Sequence, residues 1–343
     1  MVDYTLGTVV SSRVRLARNL NGLPFPSRLK SDRQAKEIIR SVSAAINKVD
    51  EFRLVYMDGI TEDEALNLVE NRLISPALLS VPSRSAALIN EKDGVLKGDI
   101  SIMINEEDHL REQCISGGLS LRSAYGRMSE KDSLIARSIP FAYDEQLGYL
   151  TACPTNLGTG LRASVMLFLP ALEIGGVMPD VIKSVTRLGL TVRGAYGEGT
   201  KAQGYMYQVS NEVTLGVTEE TIISQVESVV KKIVEMEASE RRRLSTCADS
   251  VVLKDRCLRA YGILTNCALM THGELDGLCA ELKLGACLGY FKINDVAAVD
   301  ELTLKMKPSN LNVLSGRVLD ERERDIYCAR QVSQKIKNIV TKL

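Results

Sequence analysis

The texture of the chain changes once, and that change divides it. From Val9 to Ser210 the apolar residues come mainly in short runs, such as Ser101-Ile102-Met103-Ile104-Asn105 and Tyr207-Gln208-Val209-Ser210, parted by glycine- and proline-containing turns. Glu212-Val213-Thr214-Leu215 reads as one more such strand. Longer helical patterns interrupt over residues 32–49 and 62–73. Without the regular strand-helix alternation of a parallel fold, this mixture predicts an α+β domain, a largely antiparallel sheet flanked by helices. After Gly216, Thr218-Glu219-Glu220 has the form of a helix start, and Ile222, Val226, Val229, Val230, Ile233 and Met236 follow at helical spacing. That helix runs into Glu240-Arg241-Arg242-Arg243, beyond which the pattern is one of successive helices, including residues 254–270 and 322–340. A length of 343 residues is long for one core. Two domains are expected, a larger one over 1–245 and a small all-helical one over 246–343.

Composition narrows the function classes. The 43 basic and 43 acidic residues balance, so no global field draws the chain to nucleic acid or to a membrane surface. The amino terminus lacks a basic stretch followed by an apolar one, and no run approaches the roughly 20 apolar residues of a membrane span. A cytoplasmic protein is expected. Eight scattered cysteines without a Cys-x-x-Cys pair, and only two histidines, argue against a zinc site and against a disulfide scaffold.

Three polar clusters carry the chemistry. In Ser11-Ser12-Arg13-Val14-Arg15-Leu16-Ala17-Arg18, read as a strand, Arg13 and Arg15 point to one face and Val14 and Leu16 to the other. Asn105-Glu106-Glu107-Asp108-His109-Leu110-Arg111 puts three carboxylates beside an arginine. Cys153-Pro154-Thr155-Asn156-Leu157-Gly158-Thr159-Gly160-Leu161-Arg162 sets another arginine behind a glycine turn, and Arg193 opens Arg193-Gly194-Ala195-Tyr196-Gly197-Glu198-Gly199. Arginine stays charged and offers a planar fork that suits phosphate, while carboxylates suit a guanidinium. The two sets together fit transfer of a phosphoryl group from ATP onto a guanidinium. No Walker-type loop occurs. Gly158-Thr159-Gly160-Leu161-Arg162-Ala163, with Asp180 downstream, formally fits a dinucleotide fingerprint, but its strand-helix context is weak and the same residues fit a turn presenting Arg162.

These motifs together resemble the phosphagen-kinase (ATP:guanido kinase) family, most closely its bacterial branch of protein-arginine kinases (McsB type). The resemblance implies ATP and Mg²⁺ as cofactors and Arg13, Arg15, Arg111, Arg162 and Arg193 as the grip on the nucleotide phosphates. It further implies Glu107 and Glu198 as the carboxylates that hold and orient the acceptor guanidinium, Glu198 from a mobile loop with glycines at 194, 197, 199 and 204. Cys153 contacts the guanidinium on this reading, His109 is a nucleotide contact, and Glu106 and Asp108 order waters around an Mg²⁺ carried by ATP.

The acceptor follows from the same resemblance. Kinases of small guanidino compounds carry a helical domain ahead of the Ser-x-Arg-x-Arg segment, whereas this chain starts ten residues before Ser11, so a more open pocket that admits an arginine side chain of a protein is expected. Asp255-Arg256-Cys257-Leu258-Arg259-Ala260-Tyr261-Gly262-Ile263-Leu264 and Leu282-Lys283-Leu284-Gly285 are similar to the helical domain of protein-arginine kinases. That domain binds phosphoarginine through Arg-Asp-x-x-Arg-Ala; here Arg324, Asp325 and Ala329 match, and Cys328 stands where the second arginine belongs. Implied partners are arginine-bearing protein substrates, a Clp unfoldase and protease, a zinc-binding activator protein, a heat-shock repressor and a second copy in a homodimer. A kinase for free arginine or another small guanidino compound, and a non-catalytic phosphoarginine-binding adaptor, are the alternatives.

Overall fold

A computed structural model describes residues 3, 5–47, 52–92, 95–194, 202–293 and 295–342. In chain order the first part comprises β1 (Val9–Arg18), α1 (Asp32–Ile46), β2 (Phe52–Tyr56), α2 (Glu62–Glu70), β3 (Ala86–Lys92), β4 (Val95–Ile104), β5 (Leu110–Gly117), α3 (Leu121–Ser138), the short hairpin β6 (Tyr143–Asp144) and β7 (Gly148–Tyr149), β8 (Leu161–Phe168), α4 (Pro170–Ile174), α5 (Met178–Thr186), β9 (Leu190–Gly194) and β10 (Met206–Asn211). The larger strands form one eight-stranded sheet, ordered β2-β3-β4-β5-β1-β8-β10-β9, with antiparallel pairing throughout. β1 lies near its centre.

Local chemistry sets the helix starts. Ser31 caps α1 by accepting from the Gln34 amide, and Thr61 with Glu64 forms a reciprocal capping box on α2. In α1, Ala35, Ile38, Ile39, Val42 and Ile46 recur at helical spacing and are buried. They join Val14 and Leu16 of β1 and the apolar faces of α3 and α5 in the main core, which covers one side of the sheet. Each fully buried side chain of this size contributes roughly 1.5–3 kcal/mol. The opposite side is covered only at its ends. α2 and the turns after it close the β2–β4 end over Val55, Ala87 and Met103.

The other end meets the helices that follow: α6 (Glu219–Thr246), α7 (Ser250–Asn266), α8 (His272–Cys287), the strand β11 (Phe291–Ile293), α9 (Ala297–Lys305), α10 (Pro308–Ser315), α11 (Glu321–Ile339) and β12 (Val340–Lys342), which pairs with β11. α6 puts Ile222, Val226, Val230 and Ile233 into the main core, while Leu244 near its end and the apolar faces of α7 to α11 form a second core that takes in Phe168 from the end of β8. Glu237 and Arg241 of α6 form a wholly buried ion pair at 2.7 Å. Its outer atoms are satisfied too: Ala171 and Leu172 amides donate to Glu237, and Arg241 donates to the Leu6 and Phe168 carbonyls.

Some sequence expectations shift, and the helix expected over 254–270 runs over Ser250–Asn266. Residues 212–215 form no strand, because the carbonyl of Thr214 accepts from the Thr159 amide and its hydroxyl donates to the Thr155 and Leu157 carbonyls, which ties the segment to a turn instead of a ladder. The helix expected over 62–73 stops at Glu70, since Arg72 takes a left-handed backbone (φ 60°) that no helix continues through.

Candidate active site

The antiparallel register gathers arginines that are far apart in sequence. Across β1, Arg15 pairs with Arg162 on β8 and with Gln113 on β5, while Ala17 pairs with Arg111. Arg193 on β9 pairs with Gln208 on β10, which pairs with Met166 on β8. Side chains alternate with a period of two. Arg13, Arg15, Arg111, Arg162 and Arg193 therefore all point to the sheet face left open between its two covered ends. Gly160 allows this approach: its backbone is left-handed (φ 64°), its carbonyl accepts from Ala17, and a Cβ there would strike the Ala17 carbonyl. A strand follows the glycine turn, so it presents Arg162 and does not open a helix.

Several of these guanidinium groups are held. Arg111 donates to both oxygens of Glu106 at 2.7 Å, and Glu106 also accepts from the Ser75 hydroxyl at 2.6 Å. Arg162 donates to Ser210 at 3.2 Å and Arg13 to Gln208 at 3.4 Å. The Nε atoms of Arg15 and Arg162 are buried and have no acceptor. Burial drives the Arg15 guanidinium well below its ordinary pKa, and the like charges of Arg13, Arg111 and Arg162 push the same way. Arg162 is lowered by burial and then by Arg193 and Arg111.

Two cavities share the arginine cluster. One, of about 460 Å³, is lined by Arg13, Arg15, Arg72, Arg111 and Arg193. The other, of about 220 Å³, is lined by Arg15, Arg111, Arg162, Glu107, Asp108 and Cys153. Asn105, with a left-handed backbone (φ 59°) fixed by its amide on the Ala35 and Arg84 carbonyls, turns the chain between β4 and β5 so that Glu107 reaches the smaller cavity. Partial burial and then Asp108 raise the Glu107 carboxyl above the usual range, while Arg111 and a hydrogen bond with the Cys153 thiol oppose the rise. The Cys153 thiol lies 3.0 Å from the Thr155 hydroxyl.

Other expected site residues sit differently. Asp108 is buried, and its Oδ1 accepts from Asn19 and from the Ala152 amide, both at 2.6 Å, which pins the Cys153 turn to the carboxylate loop. Both Glu106 oxygens are engaged with Arg111. Asp108 still lines the smaller cavity. His109 is fully buried, its Nδ1 accepts from the Leu20 amide, and it lines neither cavity. A buried imidazole replaces the expected nucleotide contact. Glu198 lies outside the described residues, as do Gly197 and Gly199.

On α11, Arg324 and Asp325 are half-buried, the Asp325 carbonyl accepts from Met270, and Ala329 and Cys328 are buried in the helical core. The sequence reading passed over Ser75, Arg72, Gln208 and Ser210. Their roles depend on pairing across strands and turns, and no local pattern marks them.

Comparison with known proteins agrees with this geometry. Residues 34–240 match the family described as ATP:guanido phosphotransferase, C-terminal catalytic domain, and residues 250–342 match the protein-arginine kinase McsB C-terminal domain. The protein-arginine kinase of Caldanaerobacter subterraneus subsp. tengcongensis is 42% identical over 341 residues, covering 98% of this chain and 99% of its own. That of Clostridium kluyveri is 38% identical over 338 residues, covering 97% and 96%. Among solved structures, the duplicated taurocyamine kinase of Schistosoma mansoni aligns with a TM-score of 0.63 at 26% identity, over 76% of this chain and 38% of that one. A lombricine kinase aligns with a TM-score of 0.60 at 26% identity, over 68% and 67%.

Proposed function

Because the chain belongs to the ATP:guanido phosphotransferase family, in its protein-arginine kinase branch, we propose that it transfers the γ-phosphate of ATP to arginine side chains of proteins. One observation carries the reading: the two cavities meet at Arg15 and Arg111, so a triphosphate in the larger would present its last phosphate to whatever occupies the smaller. Arg13, Arg15, Arg111, Arg162 and Arg193 would neutralise phosphate charge as it develops. Glu107 would accept N–H hydrogen bonds from the acceptor guanidinium and aim one nitrogen at the γ-phosphorus. Glu198 is proposed as the second carboxylate and Cys153 as a further contact. The nitrogen–phosphorus bond forms as the bond from the γ-phosphorus to the bridging oxygen breaks, which yields phosphoarginine, ADP and the proton that the nitrogen gives up.

Mg²⁺ enters this reading as part of the MgATP substrate, with Glu106 and Asp108 proposed to order its waters. We place the domain boundary at 245/246, between family matches that end at residue 240 and begin at residue 250. No helix among the described residues is long and apolar enough to cross a membrane, in keeping with a proposed cytoplasmic site of action. Further proposed partners are a Clp unfoldase and protease that take up marked clients, a zinc-binding activator, a heat-shock repressor and a second copy of the chain.

The test is incubation with MgATP and a denatured protein, followed by mass spectrometry that preserves phosphoramidate. The expected label is acid-labile, alkali-tolerant and on arginine. Label on serine, threonine or tyrosine, or on free arginine alone, would overturn the assignment.

A further inference from the structure

Beside its contacts with Phe168 and with α2, the helical domain meets the sheet through a short segment that leads straight into the arginine site. Gln203–Tyr205 precedes β10, and both Gly204 (φ 62°) and Tyr205 (φ 60°) adopt left-handed backbone. For tyrosine this costs on the order of 1–3 kcal/mol and persists only where the surroundings over-determine it. Here they do. Tyr205 Oη donates to Glu281 Oε1 at 2.9 Å, Arg256 Nε donates to Glu281 Oε2 at 2.8 Å, and Arg256 Nη2 donates to Tyr205 Oη at 3.3 Å. Gln203 donates to Asp276 of α8 at 2.9 Å. On the sheet side, the Tyr205 carbonyl accepts from the Leu169 amide, and its ring meets Phe168 edge-on at 6.3 Å.

What this junction fixes is the start of β10. Three residues beyond Tyr205 comes Gln208, the acceptor for Arg13, and five beyond comes Ser210, the acceptor for Arg162. Gln208 also pairs with Arg193. A shift of β10 would therefore move the supports of three of the five arginines at once.

We propose that Tyr205 and Glu281 are positioning residues for the arginine cluster: through the Tyr205–Glu281–Arg256 junction the helical domain sets β10 so that Gln208 and Ser210 hold Arg13 and Arg162 where a nucleotide's phosphates need them. The inference rests on reading the cluster as the phosphate site.

Calorimetric titration of the full chain with MgATP, without acceptor, tests it in Tyr205→Phe and Glu281→Gln, both close in shape to the parent. Each is expected to weaken MgATP binding about 5-fold or more, and steady-state assays should show KM for ATP raised with KM for the denatured protein unchanged. Arg317→Ala, which breaks the exposed pair with Glu323 elsewhere in the same domain, should leave nucleotide binding alone. Unchanged ATP affinity in both junction variants, or an equal loss in Arg317→Ala, overturns the inference. Arg162→Ala separates the two layers of argument: wild-type affinity there removes the phosphate-site reading and this inference with it, whereas loss there with none at the junction removes this inference alone.

Discussion

Arg15 and Arg162 stand directly opposite each other on β1 and β8, and the buried Nε of neither finds a protein acceptor. Like charges in that relationship destabilise a sheet. On the proposed reading, the phosphates of ATP would satisfy both. Arg162→Ala should lower turnover on the order of 10²-fold or more while melting no earlier than the parent. It should also lose part of the rise in melting temperature that saturating MgATP gives the parent. Differential scanning fluorimetry with and without nucleotide, beside a turnover assay, checks both; an active Arg162→Ala enzyme would show the arginine to be structural.

Glu106 serves Arg111. Its carboxylate is almost wholly buried, and both oxygens lie 2.7 Å from Arg111 Nη1. Glu106→Gln keeps the shape but removes the charge, so it should loosen Arg111 and weaken ATP binding several-fold, at a stability cost of roughly 1–3 kcal/mol. Equal ATP affinity in the two proteins would return Glu106 to a passive role.

His109 makes folding sensitive to acid. Burial depresses its imidazole to about 4, against an ordinary value of 6.5, so the folded state keeps it neutral while the unfolded chain binds a proton. Stability from this source is full above pH 6.5 and is lost as pH falls toward 4, by at most roughly 3 kcal/mol. Urea melts of His109→Gln should show a flatter pH dependence across that window. A slope identical to the parent's would assign the acid sensitivity elsewhere.

Glu112 acts in the opposite direction. It is fully buried on the core face of β5, and burial followed by the nearby Asp132 carboxylate raises its pKa well above 4.5, with Arg18 opposing. A raised carboxyl contributes stability that is complete below its unfolded pKa and lost as pH rises through its folded one. Glu112→Gln should therefore match or exceed the parent's stability at alkaline pH. Denaturant melts at neutral and alkaline pH would settle it: a variant less stable at both would mean the ionised carboxylate is needed.

The altered motif on α11 should bind phosphoarginine weakly. Cys328 is 2% exposed within the helical core, and a thiol offers the ligand no cation where an arginine would supply a bidentate contact. Titration of the full chain with phosphoarginine, with the active site blocked by nucleotide, should show little heat. Tight saturable binding would mean that other donors beside Arg324 replace the missing one.

Much of this was legible in the sequence because it is local. The strand over Arg13 and Arg15 and the helix start at Thr218 rest on short-range patterns, and they stand in the structure where those patterns put them. Convergence of the arginines could be read only through family resemblance, since the register that makes it belongs to strands far apart in the chain. The surroundings of Asp108 and His109 were illegible for a related reason. Their partners Asn19, Leu20 and Ala152 are distant, and sequence alone does not tell a buried, bonded carboxylate from one facing solvent.

The buried Glu237–Arg241 pair has a consequence for how this chain comes apart. It rivets α6 to Leu6 and to the end of β8, and Phe168 beyond it is buried by helices that come later in sequence. Cutting after residue 245 would strip Phe168 of its cover and leave the rivet open on one side. Heat should then melt the intact chain in a single calorimetric transition, and a gene trimmed to its first part would encode an aggregation-prone fragment rather than a smaller working enzyme.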